Sequence, residues 1–299
     1  MKKLLSSAAA LAFVVVPVAL LVLALGSCTR DGGDSSKSIR VNGSDTMLEV
    51  GVAWQEGYKK VKPDINISMN GEGSGVGITQ LINGEIELAH SSRAMSDSEK
   101  KQIKDKHGKD PAEFIVGFDG IAVYTHKDNP IKSISMEKLK EIFAEGGKID
   151  KWEDVDPAFK GEIKRCSRNN VSGTYKFFRK AVCGKGVEFK KGATTMPGSN
   201  GVVEYCKTTP NAIGYSGMAY KIPEVNAVAV STAGGPAVAP TVENVMAEKY
   251  PIARPLYAYT IGTPSAELKA YLDWVRSAAG QKVIQDEGYV PLPPAKQTK

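Results

Sequence analysis

Between residues 38 and 99 the chain passes three times from a short alternating apolar run, through a turn of glycine and hydroxyl residues, into a helix start. Ile39 and Val41 lead to Gly43-Ser44-Asp45-Thr46, after which Met47, Val50, Trp54, Tyr58 and Val61 keep helical spacing until Pro63. Ile65, Ile67 and Met69 lead to Gly71-Glu72-Gly73-Ser74-Gly75-Val76-Gly77 and the apolar run Ile78 to Ile82. Glu85 to His90 leads to Ser91-Ser92-Arg93-Ala94-Met95, and Ser96 with Glu99 forms a capping box for another helix. A period of two feeding a period of 3.6 marks a parallel α/β architecture. All such turns then fall at the carboxyl ends of the strands, where open α/β sheets bind ligands.

A fourth junction, Ser167-Arg168-Asn169-Asn170-Val171-Ser172-Gly173-Thr174, runs into Tyr175, Phe178 and Val182 at the spacing of one buried face, with Ser172 or Thr174 as N-cap. A helix start presents unpaired N–H groups and the positive end of a dipole, so Ser172, Gly173 and Thr174 offer donors to one small anion, with Arg168 as countercharge. Gly173 has no Cβ to hold the anion off, and a guanidinium fork matches two oxygens of a tetrahedral oxyanion. In isolation the stretch also fits a serine-capped helix beside a solvated arginine. Its recurrence in four turns favours the anion site. No turn carries the Gly-Lys-Ser/Thr ending of a nucleotide P-loop.

Two apolar stretches are longer than the strands around them: Phe114 to Tyr124, interrupted by Gly117, Asp119 and Gly120, and Tyr250 to Tyr259, which contains Arg254. They read as an outward and a return crossing between two lobes, as a core of about 260 residues requires. Between them lie a capped helix from Ser135 to Phe143, a loop from Gly146 to Trp152, a Gly198-Ser199-Asn200-Gly201 turn before a helix to Thr208, a strand Ala212 to Tyr215, and the alternating Val225, Ala227 and Val228. After the return crossing, Leu268, Tyr271, Leu272, Val275 and Ala279 predict one helix closed by Gly280. Pro291, Pro293 and Pro294 end the fold before a disordered charged tail.

Met1-Lys2-Lys3, the apolar run Leu4 to Leu25, and Gly26-Ser27-Cys28 form a secretory signal with a lipoprotein cleavage box. A single spanning anchor is the alternative, but Pro17, the small residues before Cys28 and the polar tether to Lys37 favour cleavage. Either way the globular part lies outside the cytoplasmic membrane. Processing removes Lys2 and Lys3, lowering the formal net charge of +6 by two. The remaining basic residues are scattered, with no nucleic-acid motif. His90, His107 and His126 show no metal spacing, and no Ser-His-Asp order points to hydrolysis, so the chain reads as neither a metalloprotein nor an enzyme, and no cofactor is expected. With Cys28 lipidated, Cys166, Cys183 and Cys206 remain. One disulfide and one free thiol is the simplest account in an export compartment, with Cys183–Cys206 the expected pair.

In their order and spacing these motifs, together with Asp119-Gly120-Ile121-Ala122-Val123, Ile213-Gly214-Tyr215, Tyr250-Pro251 with Arg254-Pro255-Leu256, and Gly280-Gln281 with Gly288-Tyr289-Val290-Pro291, resemble the extracytoplasmic phosphate-binding proteins of high-affinity phosphate ABC transporters, in their short lipoprotein form. The match covers roughly residues 38–294. The resemblance implies a two-lobed, type II periplasmic-binding-protein fold with the ligand in the interlobe cleft. It implies a receptor that hands inorganic phosphate to a permease. Within it, residues 1–27 are the signal peptide, 28–37 the tether, 38–121 and 253–294 the first lobe, 122–252 the second, and 295–299 the tail. Phosphate contacts are implied from Thr46 and the Met47 amide, Ser74, Arg168, Ser172, Gly173 and Thr174, with Ser92 and Arg93 in the third turn.

Arg93 stands where longer members carry an aspartate acceptor, and Asn169, Asn170 and Val171 depart from the usual arginine loop. The acceptor for a protonated oxyanion is therefore expected at Asp119, with Asp45 as the alternative; the competing role for Asp119 is to pair with and orient Arg93 or Arg168. A sulfate or molybdate receptor, a secreted phosphatase and a lipid-anchored adhesin are the competing classes. The anchor itself is testable: Cys28→Ala is expected to abolish incorporation of a radioactive fatty acid, and undiminished label in that variant would overturn the assignment.

Overall fold

The computed structural model describes residues 38–298. The signal peptide, Cys28 and the tether lie outside the described residues. Alternation of buried Ile39 and Val41 with exposed Ser38 and Arg40 builds β1 (Ser38–Gly43), which feeds α1 (Leu48–Lys59). Val50, Trp54 and Tyr58 turn one buried stripe of α1 inward. The same plan repeats in β2 (Asn66–Met69), α2 (Ser74–Asn83), β3 (Leu88–Ser91) and α3 (Asp97–His107), and the Ser96–Glu99 capping box forms as expected. β1 pairs in parallel with β2 and with β3, so the first three turns lie side by side at one sheet edge.

β4 (Pro111–His126) is the outward crossing, and Asp119-Gly120 lies within it rather than breaking it. Next come β5 (Ser133–Ser135), α4 (Met136–Phe143), β6 (Lys164–Arg168), α5 (Gly173–Phe178), β7 (Thr194–Met196), α6 (Ser199–Thr208), β8 (Ala212–Gly217), β9 (Val225–Ser231) and α7 (Val242–Met246). The return crossing is β10 (Ala253–Ile261). It runs antiparallel to β4 from Pro111 to Gly120, while the remainder of β4 pairs antiparallel with β8 and β9. β6 lies parallel to β7 and β8. The sheet order is β2-β1-β3-β10-β4-β8-β6-β7. One hydrophobic cluster draws on residues 121–252 with Val290, and two others on residues 39–116 and 256–289.

Three expectations change. The helix predicted to close at Gly280 is two, α8 (Ala266–Arg276) and α9 (Ala278–Asp286). Ser277 makes the break: its hydroxyl donates to the Trp274 carbonyl and accepts from the Gly280 amide, so Gly280 lies inside α9, where its carbonyl takes the Trp54 indole N–H at 2.8 Å. The tail is held, with Thr298 N donating to Arg276 O and Gln297 Nε2 to Leu292 O. Cys166, Cys183 and Cys206 are all free and buried, so the Cys183–Cys206 disulfide does not form. Cys206 faces the sheet, donating to the Tyr124 carbonyl and packing on Gly214, while Cys183 ends the wide helical turn that follows α5. Burial pushes the Cys166 thiol up to about 12 and Cys183 up to about 11.

His90 is 3% exposed beneath the first turn, edge-on to Trp54 at 6.0 Å between ring centroids, and its carbonyl accepts the Ser44 amide. Burial pushes its pKa down from 6.5 to about 4. Between those values the unfolded chain binds a proton that the folded chain excludes, so this contribution to stability is intact above about pH 6.5 and is lost as pH falls toward 4, by roughly 2 kcal/mol at pH 5. Urea denaturation at pH 7 and 5 is expected to show this loss in the parent and a smaller one in His90→Gln; equal losses would overturn the assignment.

Candidate functional site

The four turns meet. Ser172 caps α5, its hydroxyl accepting from the Tyr175 amide, which settles the choice left open with Thr174. Thr174 then points inward, with Oγ1 2.7 Å from Thr46 Oγ1 of the first turn. Ser92 of the third turn accepts a hydrogen bond from Ser44 Oγ at 2.8 Å and lies 3.3 Å from Ser74 Oγ of the second, while its amide donates to Ser74 Oγ. Gly75 N donates to Val171 O, joining the second turn to the fourth. At Gly173 an added Cβ would stand 2.3 Å from Ser74 Oγ and 2.6 Å from Ser92 Oγ, so glycine lets the start of α5 approach these two hydroxyls. Gly43, at φ +141°, does the same below, where a Cβ would overlap the His90 carbonyl.

At the centre is Arg254, 2% exposed on β10. It sits directly across the β4–β10 ladder from Asp119 and donates to Asp119 Oδ2 from Nη2 at 2.8 Å and from Nε at 3.2 Å. Its other donors reach Ser92 O at 2.8 Å and Thr174 Oγ1 at 2.9 Å. Burial raises the Asp119 carboxyl and lowers the Arg254 guanidinium, and their opposite charges pull both back. Asp119 Oδ1 accepts no hydrogen bond among the described residues.

Thr46, Ser74, Ser92, Asp119, Ser172, Gly173 and Thr174 therefore gather as one buried cluster. Three expected site residues are held otherwise. The Met47 amide donates to Ser44 O and its side chain is in the core. Arg93 forks onto Glu99 at 2.7 and 2.8 Å and donates to Ala94 O, with burial opposing and the Arg93 and Ser96 bonds holding the Glu99 carboxyl at about 2. Arg168, 2% exposed, reaches Asp45 Oδ1 at 3.0 Å, Ser199 Oγ at 2.9 Å and Pro197 O at 2.9 Å. Asp45 Oδ1 also accepts from the Ser199 amide and hydroxyl, so Arg168 and Asp45 together tie the first turn to the start of α6. The alternative reading of Asp119, that it orients Arg93 or Arg168, is corrected: the arginine it pairs with is Arg254. The sequence carries its signal: Asp119 and Arg254 are each the one charged residue in the apolar stretches 114–124 and 250–259, and opposite charges buried there favour pairing.

A family model described as a PBP superfamily domain matches residues 29–279. The phosphate-binding protein PstS of Pseudomonas aeruginosa is 35% identical over 265 residues, covering 84% of this chain and 82% of the relative. The protein of the same name from Staphylococcus saprophyticus is 31% identical, covering 93% and 88%. Among solved structures, a putative phosphate ABC transporter substrate-binding protein with bound phosphate from Clostridium perfringens superposes with a TM-score of 0.76 at 30% identity, covering 86% of this chain and all of that one.

Removing one member of a buried ion pair strands the other, at a cost of about 3–5 kcal/mol, whereas replacing both with apolar residues is close to neutral. Asp119→Asn is therefore expected to lose stability on that scale in urea denaturation, and Asp119→Leu with Arg254→Met to recover most of it. An Asp119→Asn protein as stable as the parent would show that the pair contributes nothing.

Proposed function

The chain belongs to the PBP superfamily and, within it, to the PstS phosphate-binding proteins, and from that premise we propose that it is the extracytoplasmic receptor that binds inorganic phosphate and delivers it to an ABC transporter permease. The family consists of transport substrate-binding proteins, not enzymes. The observation that carries the reading is the meeting of hydroxyl groups from four strand-to-helix turns around Gly173. Thr46, Ser74, Ser92 and Thr174 hydroxyls, with the Gly173 amide, are the donors a tetrahedral oxyanion takes, while the Ser172 amide is taken by the Asn169 carbonyl and Ser172 serves as the cap of α5. Asp119 Oδ1 is the acceptor for the proton that phosphate keeps near neutral pH and sulfate lacks. Arg168 and Arg254 act from behind, each holding turns in place.

The proposed receptor has two lobes, 38–121 with 253–294 and 122–252, supported by hydrophobic clusters that divide near these positions apart from Val290, which packs with the second. Donors from turns on both sides of those boundaries favour the closed arrangement when phosphate is bound. Attachment to the membrane through a lipid on Cys28 completes the proposal, keeping the receptor near its permease.

Calorimetric titration tests this reading. The parent is expected to bind phosphate and to discriminate against sulfate, and Gly173→Ala, which pushes Ser74 and Ser92 away from α5, to bind phosphate at least about tenfold more weakly, a loss of ~1.4 kcal/mol. A folded parent that binds no phosphate would overturn the function. A Gly173→Ala variant with parental affinity would move the site elsewhere.

A further inference from the structure

Beside the buried cluster lies a cavity of about 550 Å³ lined by Arg93, Glu99, Lys176, Lys180, Phe177 and Arg254, among others. Arg254 borders both spaces: it donates to Thr174 within the cluster, and its guanidinium lies 5.6 Å from the Phe177 ring centroid at the cavity wall. Lys176 and Lys180 stand one turn apart on the same helical face, and neither ammonium makes a hydrogen bond or ion pair among the described residues. The one carboxylate among these six residues, Glu99, is taken up by the fork from Arg93. Arg93 is 8% exposed, and its Nε has no hydrogen-bond partner. With the Arg93 and Arg254 charges balanced by Glu99 and Asp119, the two lysines leave the cavity net positive. Lys176 is exposed at the cavity rim, and partial burial of its ammonium first and the Arg93 charge second push its pKa down.

We propose that this cavity is a second, weaker site for inorganic phosphate, in which Lys176 and Lys180 hold the anion before it passes Phe177 and Arg254 to the hydroxyl cluster. The inference rests on the reading that the cluster itself takes phosphate. A low-dielectric cleft lined by one sign of charge raises the local concentration of the opposite ion and speeds association by tenfold or more, an effect that salt screens. Phe177, packed on the Arg254 guanidinium, is the side chain the anion must pass. Lys176 meets the cluster only through its backbone amide, which donates to the Ser172 carbonyl, and neither ammonium bonds to a cluster residue, so the outer site governs how fast the inner one fills and not how tightly it holds.

Rapid-mixing measurements with radiolabelled phosphate on the full chain and on Lys176→Gln/Lys180→Gln test this, alongside calorimetric titration of both. In the parent the observed rate constant is expected to rise hyperbolically with phosphate, reaching half its plateau at a concentration that increases with salt. In the double variant that concentration rises about tenfold and loses its salt dependence, while the plateau and the equilibrium affinity stay within about threefold of the parent. A linear dependence in the parent, or a half-saturation unchanged in the variant, would overturn the outer site while leaving the proposed function intact. No binding by the parent in the titration would overturn both.

Discussion

The arrangement of the binding turns depends on one buried ion pair. Asp119 and Arg254 face each other across the two strands that cross between the hydrophobic clusters, with side chains 0% and 1% exposed. Taking both charges out of water costs several kcal/mol per ion, and their attraction offsets this only when the remaining donors are satisfied. Arg254 satisfies them on the Ser92 carbonyl and the Thr174 hydroxyl, parts of the third and fourth turns. The same bonds that make the charge tolerable also fix where those turns stand. A lysine on β10 would supply one ammonium in place of this planar fork and could not make all the contacts from one position.

Features set by neighbours in sequence were legible before the structure. The strand-to-helix turns, the Ser96–Glu99 box and the Ser135 cap depend on residues three or four apart and formed as read, and at α5 the cap is Ser172, one of the two residues the sequence offered. Features set by register were not. Asp119 stood out in an apolar strand, but its partner is 135 positions away and is chosen by the antiparallel ladder of β4 and β10. Arg93 looked like an anion ligand because it follows Ser92, yet Glu99, already recognised as a cap, lies close enough after one turn of α3 to claim it. The break at Ser277 was hidden by an apolar spacing that continues through both helices. The disulfide expectation failed because cysteine count and compartment say nothing of direction, and Cys206 points at the sheet.

The second constraint is distance between backbones. Gly173 places the start of α5 against Ser74 and Ser92 closely enough that no Cβ fits, and Gly75 donates to Val171 beside it. These contacts join segments about 100 residues apart without a hydrophobic core between them, so their geometry rests on hydrogen bonds whose net value is about 1 kcal/mol each. Such a junction opens more readily than the packed clusters on either side of it. A receptor that must release its ligand needs its weakest interface at the site.

Charge is arranged in the same spirit. Arg254 is balanced by Asp119 and Arg168 by Asp45, so the buried cluster carries no large net charge of its own. In the proposed function an anion entering it is held by hydroxyl and amide dipoles already aimed, which cost little to reorient and which salt screens far less than surface charges. The unbalanced cations, Lys176 and Lys180, stand outside at the neighbouring cavity, where a long-range field acts on a solvated ion. Separating the two tasks avoids a conflict. A buried excess of positive charge would bind sulfate as readily as phosphate and would destabilise the fold, whereas in the proposed site dipoles with an unpartnered Asp119 Oδ1 would distinguish an anion that carries a proton from one that does not.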